Sequence, residues 1–236
     1  MGVLLSIEGA IGQGILWGIM ALGVYITFRI LDFADLTVDG SFATGGAVSA
    51  VLIMNGVDPW ITLPAAIVAG CLCGACTGLL HTMCKIPPIL AGILTQIGLY
   101  SINLMIMDKS NLPLLKVDTM FSRLADAIDL PRSISRWLTT NNLVCLLIGI
   151  LFAVAVIGFA YWFFGTELGC SLRATGCNEN MSRAQGINTN LSKVLALMIS
   201  NGLVGLSGAF LAQYQGFSDV NMGRGAIVIG LAAVII

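Results

Sequence analysis

The chain has 236 residues, of which 57% are hydrophobic and 10% charged, with a net charge of -1. Its mean hydropathy is +0.94. Soluble domains carry roughly 25% charged residues, so a soluble fold is excluded and an all-α polytopic membrane bundle is expected. The near-neutral charge offers no basic field, so no nucleic-acid partner is expected.

Residues 1–14 carry no basic segment and no cleavage site of small residues, and read as a mature N-terminus rather than a signal peptide. A membrane-crossing helix needs about 20 apolar residues. A first span runs over 11–31, and an acidic linker with Asp32, Asp35 and Asp39 leads into a short second span over 40–54. The third covers 60–83, and Pro87-Pro88 opens a fourth that ends at 107. An amphiphilic loop, 109–142, holds two expected short amphipathic helices, over 121–128 and near 132–138. The fifth span is 143–164 and the sixth 194–213, separated by a polar island over 166–193. A polar stretch, 216–224, precedes an apolar run from 226 that reaches only about half a span, so the fold is expected to continue past 236. The whole chain reads as one transmembrane domain. Basic residues do not orient it by count. The short loops favour a cytoplasmic island, an outside N-terminus and an extracytoplasmic 109–142 loop.

Gly70, Gly74 and Gly78, Gly14 and Gly18, and Gly202, Gly205 and Gly208 line helix faces at spacings that allow close packing. Cys71, Cys73, Cys76, His81 and Cys84 resemble a metal cluster by number, but helical spacing scatters them around the helix, so buried thiols and no metal are expected. Asp39 suits either a capped cytoplasmic turn or a broken helix beside a transport path. Gln13, Gln96, Asn103, Ser200, Asn201 and Gln213 are the deepest polar residues of the spans. From these and the acidic linker, Asp39, Gln96, Asn103 and Asn201 are the candidate pathway residues. No Lys, Arg, Asp or Glu falls in the middle of a span, which argues against ion- or proton-coupled transport. There is no phosphate-binding loop, no H-E-x-x-H, no G-x-S-x-G and a single histidine. No catalytic residue and no cofactor are therefore assigned to this chain, and any use of ATP falls to another subunit.

The island carries Leu172-Arg173-Ala174-Thr175-Gly176, then Asn178-Glu179, then Arg183-Ala184-Gln185-Gly186-Ile187-Asn188, and the span after it carries Ser200-Asn201-Gly202-Leu203-Val204-Gly205-Leu206-Ser207-Gly208-Ala209. This order resembles the permease subunits of ABC importers, in the branch of branched-chain amino acid and ribose-type permeases. The segment Leu36-Thr37-Val38-Asp39-Gly40 is similar to a subgroup linked to aromatic amino acid or otherwise uncharacterised uptake. The resemblance implies a second permease copy or a paralogue, a cytoplasmic ATPase dimer that binds ATP and Mg, and an extracytoplasmic solute-binding protein, assembled in the bacterial inner membrane. It maps the island onto a coupling loop, with the coupling helix over 178–185. Asn178 suits the N-cap, Glu179 the positive helix end, Gly186 the stop, and Met181 and Ala184 share a face. Arg173 and Arg183 complete the candidate coupling set. The expected function is import of a small polar solute, an amino acid first, with a sugar or nucleoside permease and a self-sufficient channel or secondary transporter as alternatives.

Overall fold

A computed structural model describes residues 2–114, 117–127 and 140–236. The elements in order are α1 (Gly2–Tyr25), continued by a π-helical turn (Ile26–Ile30), α2 (Thr37–Met54), α3 (Pro59–Thr82), α4 (Pro88–Met107), β1 (Asn111–Pro113), α5 (Met120–Ala127), α6 (Thr140–Gly165), α7 (Glu167–Cys177), α8 (Glu179–Ala184), α9 (Thr189–Gln215), β2 (Phe217–Asp219) and α10 (Ala226–Ile235). Among the described residues, six helices are long and apolar enough to cross a membrane. The chain is an all-α polytopic membrane protein. The amphipathic helix expected over 121–128 is α5, whereas 132–138 lies outside the described residues. Among the described residues the only strands form a short ribbon, in which β1 pairs antiparallel with β2 and Leu112 faces Ser218.

Apolarity alone does not say which spans are central; packing does. In the 18-residue apolar stretches of α9 and α2, 78% and 72% of the residues are buried inside the protein, against 28% in those of α4 and α6, so the first two form the core and the last two face outward. Glycine sets how closely they meet. A Cβ at Gly70 would collide with the carbonyl oxygen of Asn201, one at Gly74 with that of Leu197, and one at Gly208 with that of Phe42. The backbones of α3 and α2 therefore lie directly on α9. Gly14 and Gly18 differ from expectation: nothing lies within 4 Å of a Cβ at either, so that face of α1 is not a packing seam. Instead α1 is fastened to α9 by hydroxyls, Ser200 donating to the Gly23 carbonyl and Ser207 to that of Leu16, each at 2.7 Å. In lipid such bonds tie helices without exposing polar groups.

The acidic linker is not an exposed turn. Phe33 and Asp35 are buried while Asp32 and Ala34 are exposed, so 31–36 is an irregular segment laid against protein. The second span begins at Thr37, three residues before the expected 40, which places Asp39 inside its first turn and makes Leu36 the N-cap. The stretch 216–225 is likewise no simple loop. Gly216, at φ 72°, ends α9, β2 joins β1, and the chain then runs down α2 until Gly223 presses on the Asp39 carbonyl.

A side chain at Gly74 must displace α9. Gly74→Val should destabilise the protein by about 1–3 kcal/mol, read by thermal unfolding in detergent, whereas Gly14→Ala should leave the midpoint unchanged or slightly raised. Equal behaviour of the two variants would contradict this order of packing.

Candidate functional site

Asp39, Gln96 and Asn103 come together. With Gly40, Ala43, Ile97, Tyr100, Val220 and Arg224 they line a cavity of about 310 Å³ between α2, α4 and the 216–225 segment. Gln96, Tyr100 and Asn103 recur at spacings of four and three, which puts them on one face of α4. Asn103 is the unusual member. It is buried, and neither its Nδ2 nor its Oδ1 has a partner among the described residues. An unpaired buried amide costs about 1–3 kcal/mol, and Asn103 brings such a donor and acceptor, both closed to solvent, into the cavity wall. Arg224, which no pattern in the sequence singles out, lies over the Tyr100 ring at 6.0 Å from its centroid. Asp39 does cap a helix, though not its own: Oδ2 accepts from the Gly225 N–H at 3.1 Å and Oδ1 from the Ile227 N–H at 2.9 Å, at the start of α10. A carboxylate and a guanidinium thus share one wall with two amides.

The fourth pathway candidate, Asn201, does not line this cavity. It is fully buried, and its Nδ2 donates to Asp35 Oδ2 at 2.6 Å and to the Leu197 carbonyl at 3.0 Å. Ser41 donates to the Asn201 Oδ1 and also bonds the Thr37 carbonyl. The Thr37 and Thr77 hydroxyls share a 2.6 Å hydrogen bond, and the Thr37 N–H donates to Asp35 at 2.9 Å. Burial pushes the Asp35 carboxyl above its ordinary range, with the hydrogen bonds from Thr37 and Asn201 working against that rise.

The polar island forms two helices and the start of a third. Thr166 caps α7, Asn178 caps α8 by accepting from the Met181 N–H, and Asn188 caps α9 by accepting from the Leu191 N–H. Gly186, at φ 84°, occupies the left-handed region after α8. Lys193, at the end of the island, lies in α9. Glu179 organises the cluster, accepting from Arg183 at 2.6 Å and from Lys193 at 2.8 Å. Arg183 also donates from Nε to the Thr189 hydroxyl at 2.8 Å. The Lys193 hydrogen bond holds the Glu179 carboxyl below its usual range, opposed by partial burial and aided by the charges of Lys193 and Arg183. Arg183 is therefore tied to its own helix and to α9, while Met181 and Ala184 remain exposed. Arg173 sits apart on α7 and donates from Nη2 to the Phe164 carbonyl at 3.0 Å.

The sequence pattern of the family described as branched-chain amino acid transport system / permease component matches residues 6–236. The chain belongs to that family of ABC-type permeases. Among its relatives, the Tyrosine transport system permease protein of Clostridioides difficile (strain R20291) is 42% identical over 224 residues, covering 95% of this chain and 70% of that protein. The Uncharacterized protein RP368 of Rickettsia prowazekii (strain Madrid E) is 35% identical, covering 96% of this chain and 75% of that protein. The Ribose import permease protein RbsC of Escherichia coli (strain K12) is 27% identical, covering 92% of this chain and 64% of that protein. No solved structure matches the chain. The protein is thus a multi-pass permease component of the inner membrane, not an enzyme.

Two outcomes follow for the permease. Asn201→Ala leaves the buried Asp35 Oδ2 without its donor, Oδ1 keeping that of the Thr37 N–H, and should cost about 1–3 kcal/mol. Asp35→Ala together with Asn201→Ala should cost less than the sum of the single changes in a thermal-unfolding cycle. Glu179→Gln should lower stability by less than about 1 kcal/mol, because the group is largely solvated. Since folding lowers the Glu179 pKa, its contribution is complete above the ordinary carboxylate value, about 4.3, and is lost as pH falls through the folded value. The variant and the parent should therefore converge in acid.

Proposed function

We propose that the chain is the membrane-crossing subunit of an ATP-driven importer for an α-amino acid. It would work beside a second permease subunit, a second copy or a paralogue, with two cytoplasmic ATPases that bind ATP and Mg and an extracytoplasmic solute-binding protein. The observation that carries the substrate reading is the cavity, where Asp39 and Arg224 offer opposite charges beside the unpaired amide of Asn103. An amino acid presents an ammonium and a carboxylate to such a wall. A sugar presents neither charge, and would meet the same wall through the hydrogen bonds of its hydroxyls alone. The relative named for tyrosine transport supports the amino acid reading. The exposed Ile97 and Tyr100 leave the α4 side of the cavity open, which is where a second subunit would complete the path.

Coupling is assigned to α8. Met181 and Ala184 offer a small apolar face on a helix braced by Glu179, Arg183 and Lys193, with Asn178 and Gly186 fixing its two ends. Arg173 belongs to the helix leading into it. An ATPase groove that moved α8 would move the start of α9 with it, because Glu179 is bonded to Lys193. Rocking of α9 and the helices packed on it would then open and close the cavity.

The test uses the complete transporter in vesicles with its binding protein. Arg224→Gln should reduce amino acid uptake by roughly tenfold, the worth of one charge-assisted hydrogen bond. Asn103→Leu should abolish most uptake while leaving thermal stability equal or higher, since it removes an unpaired buried amide. Unchanged uptake in both would sink the cavity as the path, and parent transport of a sugar rather than an amino acid, sensitive to Asn103→Leu, would favour the sugar reading. Met181→Asp with Ala184→Asp should release the ATPases on purification.

A further inference from the structure

A second cavity, of about 570 Å³, opens between the first span and α6 on the face that carries α7 and α8. Its origin is visible in the sequence and the packing. In the other half of the bundle α1 and α6 touch, Gly149 lying on Ile15 and Gly12 on Cys145. Towards Arg173 they separate. There α1 loosens into the π turn Ile26–Ile30, and α6 offers Ala160 where a larger side chain would close the gap. Irregular turns of this kind often accompany functional sites.

The chemistry of this slot is divided along its length. Ile26, Ile30, Ala160 and Phe164 give it apolar walls, and Tyr25 and Tyr161 flank them. Tyrosine is favoured where a membrane meets water, with its ring in apolar surroundings and its hydroxyl wet. Arg173 is the one charged residue of the lining, and no acid accompanies it. Its Nη2 is held by the Phe164 carbonyl and, at 3.3 Å, by the Cys170 sulfur. Its Nε and Nη1 make no hydrogen bond among the described residues. From Leu22 to Ile30 the wall is about 12 Å long, most of the roughly 15 Å hydrocarbon depth of one leaflet.

We propose that this slot binds an anionic phospholipid from the leaflet beside α7, with an acyl chain between the first span and α6 and the phosphate on Arg173. A guanidinium fixed at the mouth of an apolar slot fits an amphiphile with an anionic head. A small anion such as inorganic phosphate would leave the apolar walls unused. The site lies away from the solute cavity, whose lining residues it does not share.

The experiment is native mass spectrometry of the full-length permease extracted from vesicles of equal phosphatidylglycerol and phosphatidylethanolamine and washed in detergent. The parent protein should retain phosphatidylglycerol in preference to phosphatidylethanolamine, and millimolar inorganic phosphate should not displace it. Arg173→Gln should lower retained phosphatidylglycerol by roughly tenfold, as expected for losing one charge-assisted contact, and Arg173→Lys should keep more of it. Ala160→Trp fills the slot without touching the charge and should lower both lipids. Equal retention of the two lipids by the parent protein overturns the proposal without recourse to any variant. So does an unchanged phosphatidylglycerol yield in both Arg173→Gln and Ala160→Trp.

Discussion

Backbone-to-backbone contact between α9 and its neighbours fixes the rest of this bundle. Lipid is as apolar as leucine, so burial alone gives membrane helices little reason to associate; close packing and a few interhelical hydrogen bonds must supply it. Gly70 and Gly74 on α3 bring that helix onto the carbonyls of Asn201 and Leu197, and Gly208 on α9 does the same for Phe42 on α2. With Cβ atoms removed at the contacts, the seryl hydroxyls of α9 reach the carbonyls of α1. Gln213 then reaches both α2 and α3, bonding the hydroxyls of Ser49 and Thr62 at 3.1 and 3.0 Å. The outer helices α4 and α6 attach to this post and keep one side for their surroundings.

Much of this order is legible in the chain. Spans emerge from hydropathy because lipid sets their length and composition. The caps of α7, α8 and α9 emerge because each cap bonds a group only three residues away, as Asn178 does with Met181. The start of α2 is hidden for the opposite reason. Thr37 and Val38 are buried and Asp39 is half-buried, so protein rather than lipid covers them and their polarity does not have to be low. The partner of Asp39 lies 188 residues along the chain at Ile227, beyond any local pattern. Gln96 and Asn103 stand out as polar residues in an apolar helix, but whether such a residue is satisfied depends on its neighbours in space. Asn201 and Asn103 look alike in the sequence and are both buried; the amide of one is fully bonded, and that of the other has no partner among the described residues.

Charge reaches the interior of this protein by an indirect route. No helix carries a charged residue at mid-span, and on that ground alone the bundle would be neutral inside. Asp35 nevertheless arrives there on the irregular segment before α2, and Arg224 comes to the cavity on the segment before α10. Both are non-helical stretches: the one with Asp35 buries its carboxyl against protein, whereas the one with Arg224 leaves the guanidinium exposed at the rim of the cavity. Arg224 escapes notice in the sequence because it falls in a stretch whose polarity suggests a surface loop.

The segment from 216 to 225 is secured at two distant points. At one end β2 is sewn to β1 beside the far end of α4; at the other the Asp39 carboxylate grips the first turn of α10. A piece of chain pinned at both ends behaves as a strut rather than a hinge. Any tilt of α2 must drag α10 with it, and any lift of the β ribbon must pull on the same carboxylate. Were the cargo an amino acid, its ammonium drawn to Asp39 would compete with those two N–H groups for the carboxylate oxygens. Cargo would then loosen the strut from inside, making the load itself part of the linkage that moves it.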